Sequence, residues 1–508
     1  MYMAIAELFS QTALELPDKV AIEFEDQRLT FKELDLLANK AANAYHSIGI
    51  RKGDRIAHYL PNCIELINSL MGCFKHGFVI VPMNINFKEQ EIQHILHDSG
   101  AKAIITDIEH LPTVRNVLST LPNLRHIILI NGAEANTNSF HDLLKKSPDK
   151  KPSVFIKDED YSIIFYTSGT TGKPKGAALD QTNVTSNLKA LEQAWKLNKD
   201  EVFLLTLPLY HIHGIGVALC GSLYNGNFTI LKKKFVAEDV VETIQKRKVT
   251  LFMGVPTMYY KILEVENLEK YDLSSMRLFV SGSAPLTREL FGQLKKKLGH
   301  EILERAGMSE TMMNFSNPYE GERIPGSVGP CLPGVKVRIV NPETFEDVPV
   351  NEAGEIALRG PNVFHGYWNK TEYNRKVFKD GWFLTGDIGK IDENNYVYII
   401  GRSKDVMKSG GINIYPREIE DVIETMPQVK ECAVVGVPDK EFGESVKAYV
   451  VLNQGEKLTD NDVIEYCREK LASFKKPKFV EFLEQLPKNT MGKILKEELR
   501  KKVKSNIL

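Results

Sequence analysis

Short apolar runs alternate with amphipathic helices along two long stretches of the chain, and that alternation restricts the fold more than any other feature. Thr30-Phe31-Lys32-Glu33 reads as a capping box, in which hydroxyl and carboxylate reciprocally satisfy the N–H groups at a helix start. Leu34, Leu37, Ala38, Ala41 and Ala42 follow on one helical face, Gly49 stops the helix, and Arg55 to Leu60 reads as a strand. The unit repeats with a helix through Leu66 and Leu70, Gly77, a strand at 78–81, a helix from Glu89, Gly100 and a strand at 103–105. It resumes with strands at 203–205, 228–231, 249–253 and 278–280 and a helix from Ala237 to Lys246. Strands separated by helices pair in parallel and bury both sheet faces. The expectation is an α/β fold, with parallel sheets flanked by helices.

Beyond Gly334 the pattern changes. The segments 335–340, 354–358 and 396–400 alternate apolar and polar residues with turns between them, which predicts a small antiparallel sheet or barrel-like subdomain. After Gly401-Arg402-Ser403-Lys404-Asp405 come about a hundred residues, enough for a domain by themselves. Pro416 opens a helix there, 433–435 and 448–451 read as strands, and Thr459 with Asp462 reads as a capped helix start. A chain of 508 residues is too long for one core. Two domains are expected, residues 1–402 and a small mobile α+β unit at 403–508.

Composition excludes several classes of function. Lys and Arg number 65 against 66 Asp and Glu, so no net field favours nucleic acid or an anionic membrane. The six cysteines are scattered with no C-x-x-C pair, which argues against a zinc site or a disulfide framework and suits a reducing cytosol. An acid at Glu7 comes too early for a signal peptide, and no apolar run is long enough to span a bilayer. A cytoplasmic protein without stable membrane anchoring is expected.

Directly after the apolar run 162–165 lies Tyr166-Thr167-Ser168-Gly169-Thr170-Thr171-Gly172-Lys173-Pro174-Lys175-Gly176. A loop of hydroxyls, glycines and lysines cannot pack a core, but it can wrap an anion. Glycines let backbone N–H groups approach phosphate oxygens, hydroxyls donate, and lysines supply charge. Lys173 is followed by Pro174 rather than Ser or Thr, so this is not a Walker loop.

This loop, with Gly307-Met308-Ser309-Glu310, Thr385-Gly386-Asp387, Gly401-Arg402 and Pro487-Lys488-Asn489-Thr490-Met491-Gly492-Lys493, resembles the adenylate-forming superfamily. That superfamily comprises acyl-CoA synthetases, peptide-synthetase adenylation domains and luciferases. The resemblance covers essentially the whole chain, with five motifs in order. It implies that a carboxylate attacks the α-phosphate of ATP, giving an acyl-adenylate and pyrophosphate, and that a thiol then attacks the activated carbonyl. Both reactants of the first step are anionic, so catalysis is mainly charge neutralisation and positioning.

The resemblance also implies roles for individual residues. Thr167, Ser168, Gly169, Thr170, Thr171, Gly172 and Lys173 would clamp the β- and γ-phosphates. Glu310, with Thr167, would hold Mg²⁺, a cation that prefers hard oxygen ligands. Ser309 would donate to the α-phosphate, Asp387 would receive the ribose hydroxyls, and Arg402 would assist. Gly282, Ser283 and Ala284 would lie along the adenine, and Glu304 belongs to the same nucleotide-side set. Lys493 would bridge carboxylate and α-phosphate. Lys404 occupies the hinge position, about which the small domain would rotate to present Ser409-Gly410-Gly411 to coenzyme A. Lys475-Lys476-Pro477-Lys478 reads equally as a contact for CoA phosphates and as a solvated basic run.

For the acid, the resemblance points to His211, Ser283, Gly307, Met308 and Val328 as pocket residues. Leu303-Glu304-Arg305 is similar to malonyl-CoA synthetases, in which an arginine here meets the distal carboxylate. A buried arginine needs an anion, so Arg305 implies a carboxylate ligand or an internal partner such as Glu304. Ala306 departs from the family, which usually has an aromatic residue stacked on adenine there. The expected activity is an ATP-dependent acid–CoA ligase acting on a malonate-like or other small acid. The alternatives are a medium- or long-chain fatty acid or aryl acid ligase, a stand-alone enzyme loading a carrier protein, luciferase-like oxygenation, or a nucleotide-binding protein without catalysis. A homodimer is left open.

Overall fold

The computed structural model describes residues 3–167, 173–409, 412–439, 441–488 and 494–505. The capping box forms as read: the Glu33 backbone N–H donates to Thr30 Oγ1 at 3.2 Å, and the Thr30 N–H donates to Glu33 Oε2 at 2.8 Å. It starts the helix Phe31–Ser47, whose apolar face packs on the helix Ile64–His76. The packing is close enough that a Cβ on Gly72 would lie 2.6 Å from Ala41 Cβ.

Two large sheets carry the N-terminal part. One has seven strands, with Asn138–Ser139, His126–Leu129, Ala103–Thr106, Arg55–Tyr59, Val79–Pro82 and Tyr161–Thr167 in parallel and Lys175–Asp180 antiparallel at its edge. The other has eight. Leu303–Met308, Leu278–Ser281, Leu251–Gly254, Val202–Leu205, Phe228–Leu231 and Val20–Phe24 run parallel, and Met312–Ser316 and Gln27–Thr30 close the two edges as antiparallel hairpins. The parallel strands are nearly continuous in apolar residues, as burial on both faces requires.

Lys336–Val340, Gly354–Arg359, Trp382–Ile391, Phe378–Lys379 and Val397–Arg402 form the antiparallel barrel-like sheet expected from the alternating segments. After it, Gly443–Leu452 and Val429–Asp439 form a long hairpin, with Phe479–Phe482 added in parallel. Two apolar clusters in this last part, one around Ile419, Val434, Val450 and Val463 and one around Val435, Tyr449, Leu486 and Leu499, are built only from residues after 406. Among the described residues no helix is long and apolar enough to cross a membrane.

Candidate active site

The strands Leu303–Met308 and Met312–Ser316 are joined by Ser309, Glu310 and Thr311, with Met308 opposite Met312. Met312 takes φ 54°, the left-handed residue that closes a three-residue hairpin loop. Gly307 admits no side chain, since a Cβ there would fall 1.9 Å from Met312 O. The tip is buried rather than solvated: Ser309 is 9%, Glu310 5% and Thr311 0% exposed. Asn362 holds it by donating to Thr311 O at 2.7 Å, and Phe364 N donates to Glu310 O at 2.9 Å.

The Tyr367 hydroxyl donates to Glu310 Oε1 at 2.7 Å. Burial raises the Glu310 carboxyl above its ordinary range, and the Tyr367 hydrogen bond and nearby Arg402 only partly offset this. Lys175, also buried, lies 3.9 Å from the ring centre of Tyr373 and 5.9 Å from that of Tyr367. The sequence reading missed Tyr367 and Tyr373; its one signal was Gly366-Tyr367-Trp368, aromatic residues in a stretch with no core periodicity.

Asp387 and Arg402 face each other across neighbouring strands, and the guanidinium Nε lies 2.7 Å from Asp387 Oδ1. The turn before Asp387 is held by two side chains. Glu355 Oε1 accepts from Gly386 N at 3.0 Å, and Thr385 Oγ1 accepts from Asp387 N at 3.1 Å. Gly386 takes φ 70°, which favours glycine. A small cavity lined by Ala306, Phe315, Ile356, Leu358, Asp387 and Ile399 lies beside the missing aromatic ring.

Arg305 is 2% exposed, and among the described residues its Nε and Nη2 have no hydrogen-bond partner. Burial pushes the guanidinium down to about 9. It presses against the bare backbone of Gly282, where an added Cβ would lie 2.6 Å from Arg305 Cζ. Glu304 does not pair with it. Successive strand side chains point to opposite faces, and Glu304 Oε1 accepts instead from Leu286 N at 2.9 Å. Glu304 is therefore not the internal partner of Arg305. Burial raises the Glu304 carboxyl to about 8, although Arg417 acts to lower it.

His213, wholly buried in the π-helical turn His213–Leu219, contacts Ser283 Oγ through Nδ1 at 3.2 Å. Its backbone N–H donates to His211 Nδ1 at 3.3 Å, which leaves the proton of neutral His211 on Nε2. Burial and then Arg305 hold the His213 imidazole well below its usual range, so it stays neutral. Ser283 takes φ 70°, a strained conformation for a serine.

Thr167, Ser283, Ala284, Glu304, Arg305 and Ala306 line one cleft, together with His211, Gly307, Met308, Ser309, Glu310, Val328, Asp387, Arg402 and Lys404. Lys173 is exposed beyond it. Lys404, in the short turn Ser403–Asp405, pairs with Glu497 at 2.9 Å. Lys475 pairs with Glu418 and Lys478 with Asp439, so two lysines of the basic run already have carboxylate partners. Ser168, Gly169, Thr170, Thr171, Gly172, Gly410, Gly411 and Lys493 lie outside the described residues.

Such a cleft, lined by Thr167 where the glycine-rich sequence begins and by the buried carboxylate hairpin of Glu310, is that of an adenylate-forming enzyme. The family model for AMP-binding enzymes matches residues 9–368, and that for the AMP-binding enzyme C-terminal domain matches 418–493. The chain belongs to the AMP-binding enzyme family, and it is an AMP-forming acyl-CoA ligase.

Among its relatives, a long-chain-fatty-acid–CoA ligase of Bacillus subtilis is 34% identical over 97% of this chain and 94% of its own. A malonate–CoA ligase of Arabidopsis thaliana is 32% identical over 94% of this chain and 83% of its own. The ATP-bound crystal structure of MatB from Rhodopseudomonas palustris is 37% identical and superposes with a TM-score of 0.93 over 100% of both chains. The apo form of the same protein superposes at 0.83. The arrangement of this chain is thus nearer the ATP-bound form.

Proposed function

We propose that the chain activates a small dicarboxylic acid of about malonate size and transfers it to coenzyme A. The observation that carries this reading is Arg305, a buried guanidinium lining the cleft whose Nε and Nη2 find no partner among the described residues. Taking an uncompensated charge out of water costs several kcal/mol, and a ligand carboxylate recovers much of that. His211 and Ser283 line the same cleft. Similarity to the malonate–CoA ligase, at 32% identity, agrees with the reading, while the fatty-acid relative, at 34%, is slightly more similar.

On this reading the reacting carboxylate lies between Arg305 and the phosphate end, and Ser309 donates to the α-phosphate. Thr167 and the loop after it hold the β- and γ-phosphates, and Asp387 with Arg402 orients the ribose. Glu310 suits Mg²⁺ because its burial leaves negative charge undercompensated. Among the described residues no group of three or more acid, histidine or cysteine side chains is arranged to hold a metal. One carboxylate is what a cation arriving on phosphate oxygens needs. Bound there, Mg²⁺ would neutralise phosphate charge as pyrophosphate leaves. Lys493 would bring its ammonium to the attacking carboxylate, and residues 403–508 would then turn about Lys404 to admit CoA at Gly411.

The test is pyrophosphate release and thioester formation with malonate, methylmalonate, a medium-chain fatty acid and an aryl acid. Fast turnover of a monocarboxylate beside inert malonate would replace this reading with a fatty or aryl acid ligase. The space beside Ala306 is the feature that favours that second reading.

A further inference from the structure

One helix grips both stems of the glycine-rich loop. Asp98, near the end of the helix Glu89–Ser99, accepts from the Tyr166 hydroxyl at 2.8 Å. His94, one turn earlier on the same face, places Nε2 2.7 Å from Pro174 O. The His94 and Tyr166 rings also meet edge to face, with centroids 6.3 Å apart. Tyr166 and Thr167 lead into residues 168–172, and Lys173 and Pro174 follow them. Asp98 is largely buried, and its second oxygen is held by Lys370 Nζ at 2.6 Å. That pairing matters beside a polyphosphate site. An unpaired carboxylate so near the loop would repel the ligand, whereas the paired one serves as an uncharged anchor.

We propose that His94 and Asp98 are positioning residues for the nucleotide phosphates. They fix the spacing of the loop stems, and Lys370 cancels the charge that the anchor would otherwise present. This rests on the reading of the loop as the clamp on the phosphates of ATP.

The experiment measures KM for ATP, KM for the acid, and thioester formation from a supplied acyl-adenylate, which needs no β- or γ-phosphate. The variants are Tyr166→Phe, His94→Ala and His94→Gln, with Thr167→Val as a probe of the loop itself. Loss of one hydrogen bond to a charged or buried partner should raise KM for ATP about tenfold in Tyr166→Phe and His94→Ala. KM for the acid and the thioester step should stay unchanged. His94→Gln should recover part of the loss, because its amide N–H can donate to Pro174 O. Tyr166→Phe keeps the ring and its packing, so it remains informative if His94→Ala fails to fold. Equal losses in both half-reactions would reduce the two residues to structural ones and overturn the proposal. Unchanged KM for ATP in them, with a raised value in Thr167→Val, would overturn it while leaving the loop's role intact. Unchanged KM in all variants would remove the loop's role, and the proposal with it.

Discussion

Glu304 and Arg305 are adjacent on one strand and turn their side chains to opposite faces: Glu304 Oε1 accepts from Leu286 N, and the guanidinium lies against Gly282. Two buried ionisable groups, neighbours in sequence, thereby sit in separate surroundings. Each is destabilising where it stands, and each predicts something measurable.

Arg305→Met should make the unliganded protein more stable by about 1–4 kcal/mol, because it replaces an uncompensated buried charge with an apolar side chain of similar length. The same change should lower kcat/KM for malonate by about a hundredfold or more. Thermal unfolding without ligand, beside malonate-dependent pyrophosphate release, checks both. A variant less stable than wild type and still active on malonate would contradict the role given to Arg305.

Glu304 gives a pH dependence of definite sign. Its carboxyl is raised from 4.5 to about 8 in the folded chain. Between those values the folded state holds a proton that the unfolded state has lost, so stability falls as pH rises through this window. Glu304→Gln should flatten that slope and be the more stable form at pH 8, by an amount on the order of a few kcal/mol. Denaturant midpoints at pH 5 and pH 8 for both proteins provide the comparison.

Lys493→Ala should abolish adenylate formation and leave thioester formation from a supplied acyl-adenylate largely intact. ATP–pyrophosphate exchange reads the first step alone, and unchanged exchange would remove Lys493 from the chemistry.

Lys404→Pro should act in the opposite sense, because proline fixes φ at the joint. It is expected to slow the thioester step more than adenylation. Single-turnover measurement of each half-reaction distinguishes this from a general loss.

Ala306→Tyr places a ring where the small cavity beside Phe315 and Asp387 lies. Stacking on the base is worth about 1 kcal/mol, so KM for ATP should fall several-fold. An unchanged KM would mean that the base does not pass over this position.

Much of the fold was legible in sequence because the parallel strands are local: each is a short apolar run followed by a helix with its own stop. The strands Val20–Phe24 and Gln27–Thr30 were not read, because the first is placed in the sheet by pairing with Phe228–Leu231, some two hundred residues away, and the second joins the sheet through the first. Of the residues read from short motifs, Glu310, Asp387 and Arg402 are brought to one cleft. The bond from Tyr367 to Glu310 was not legible, since nothing local tells an aromatic residue after a glycine which distant carboxylate it will meet. The facing of Glu304 and Arg305 was in principle available from strand alternation alone. Their adjacency suggested a pair, but the two-residue period of a strand forbids it.

A joint that swings accurately needs one side pinned. Arg402 ends its strand tied to Asp387, while Lys404, two residues on, is bound to Glu497 on the helix Lys496–Ser505. If Lys404 is the hinge, as proposed, torque from the C-terminal unit would be taken up within Ser403–Asp405 rather than carried into the barrel-like sheet. On the proposed reading, Asp387 also receives the ribose. The carboxylate that anchors the pivot is therefore the one the nucleotide draws on, and filling the site changes the stiffness of its own hinge.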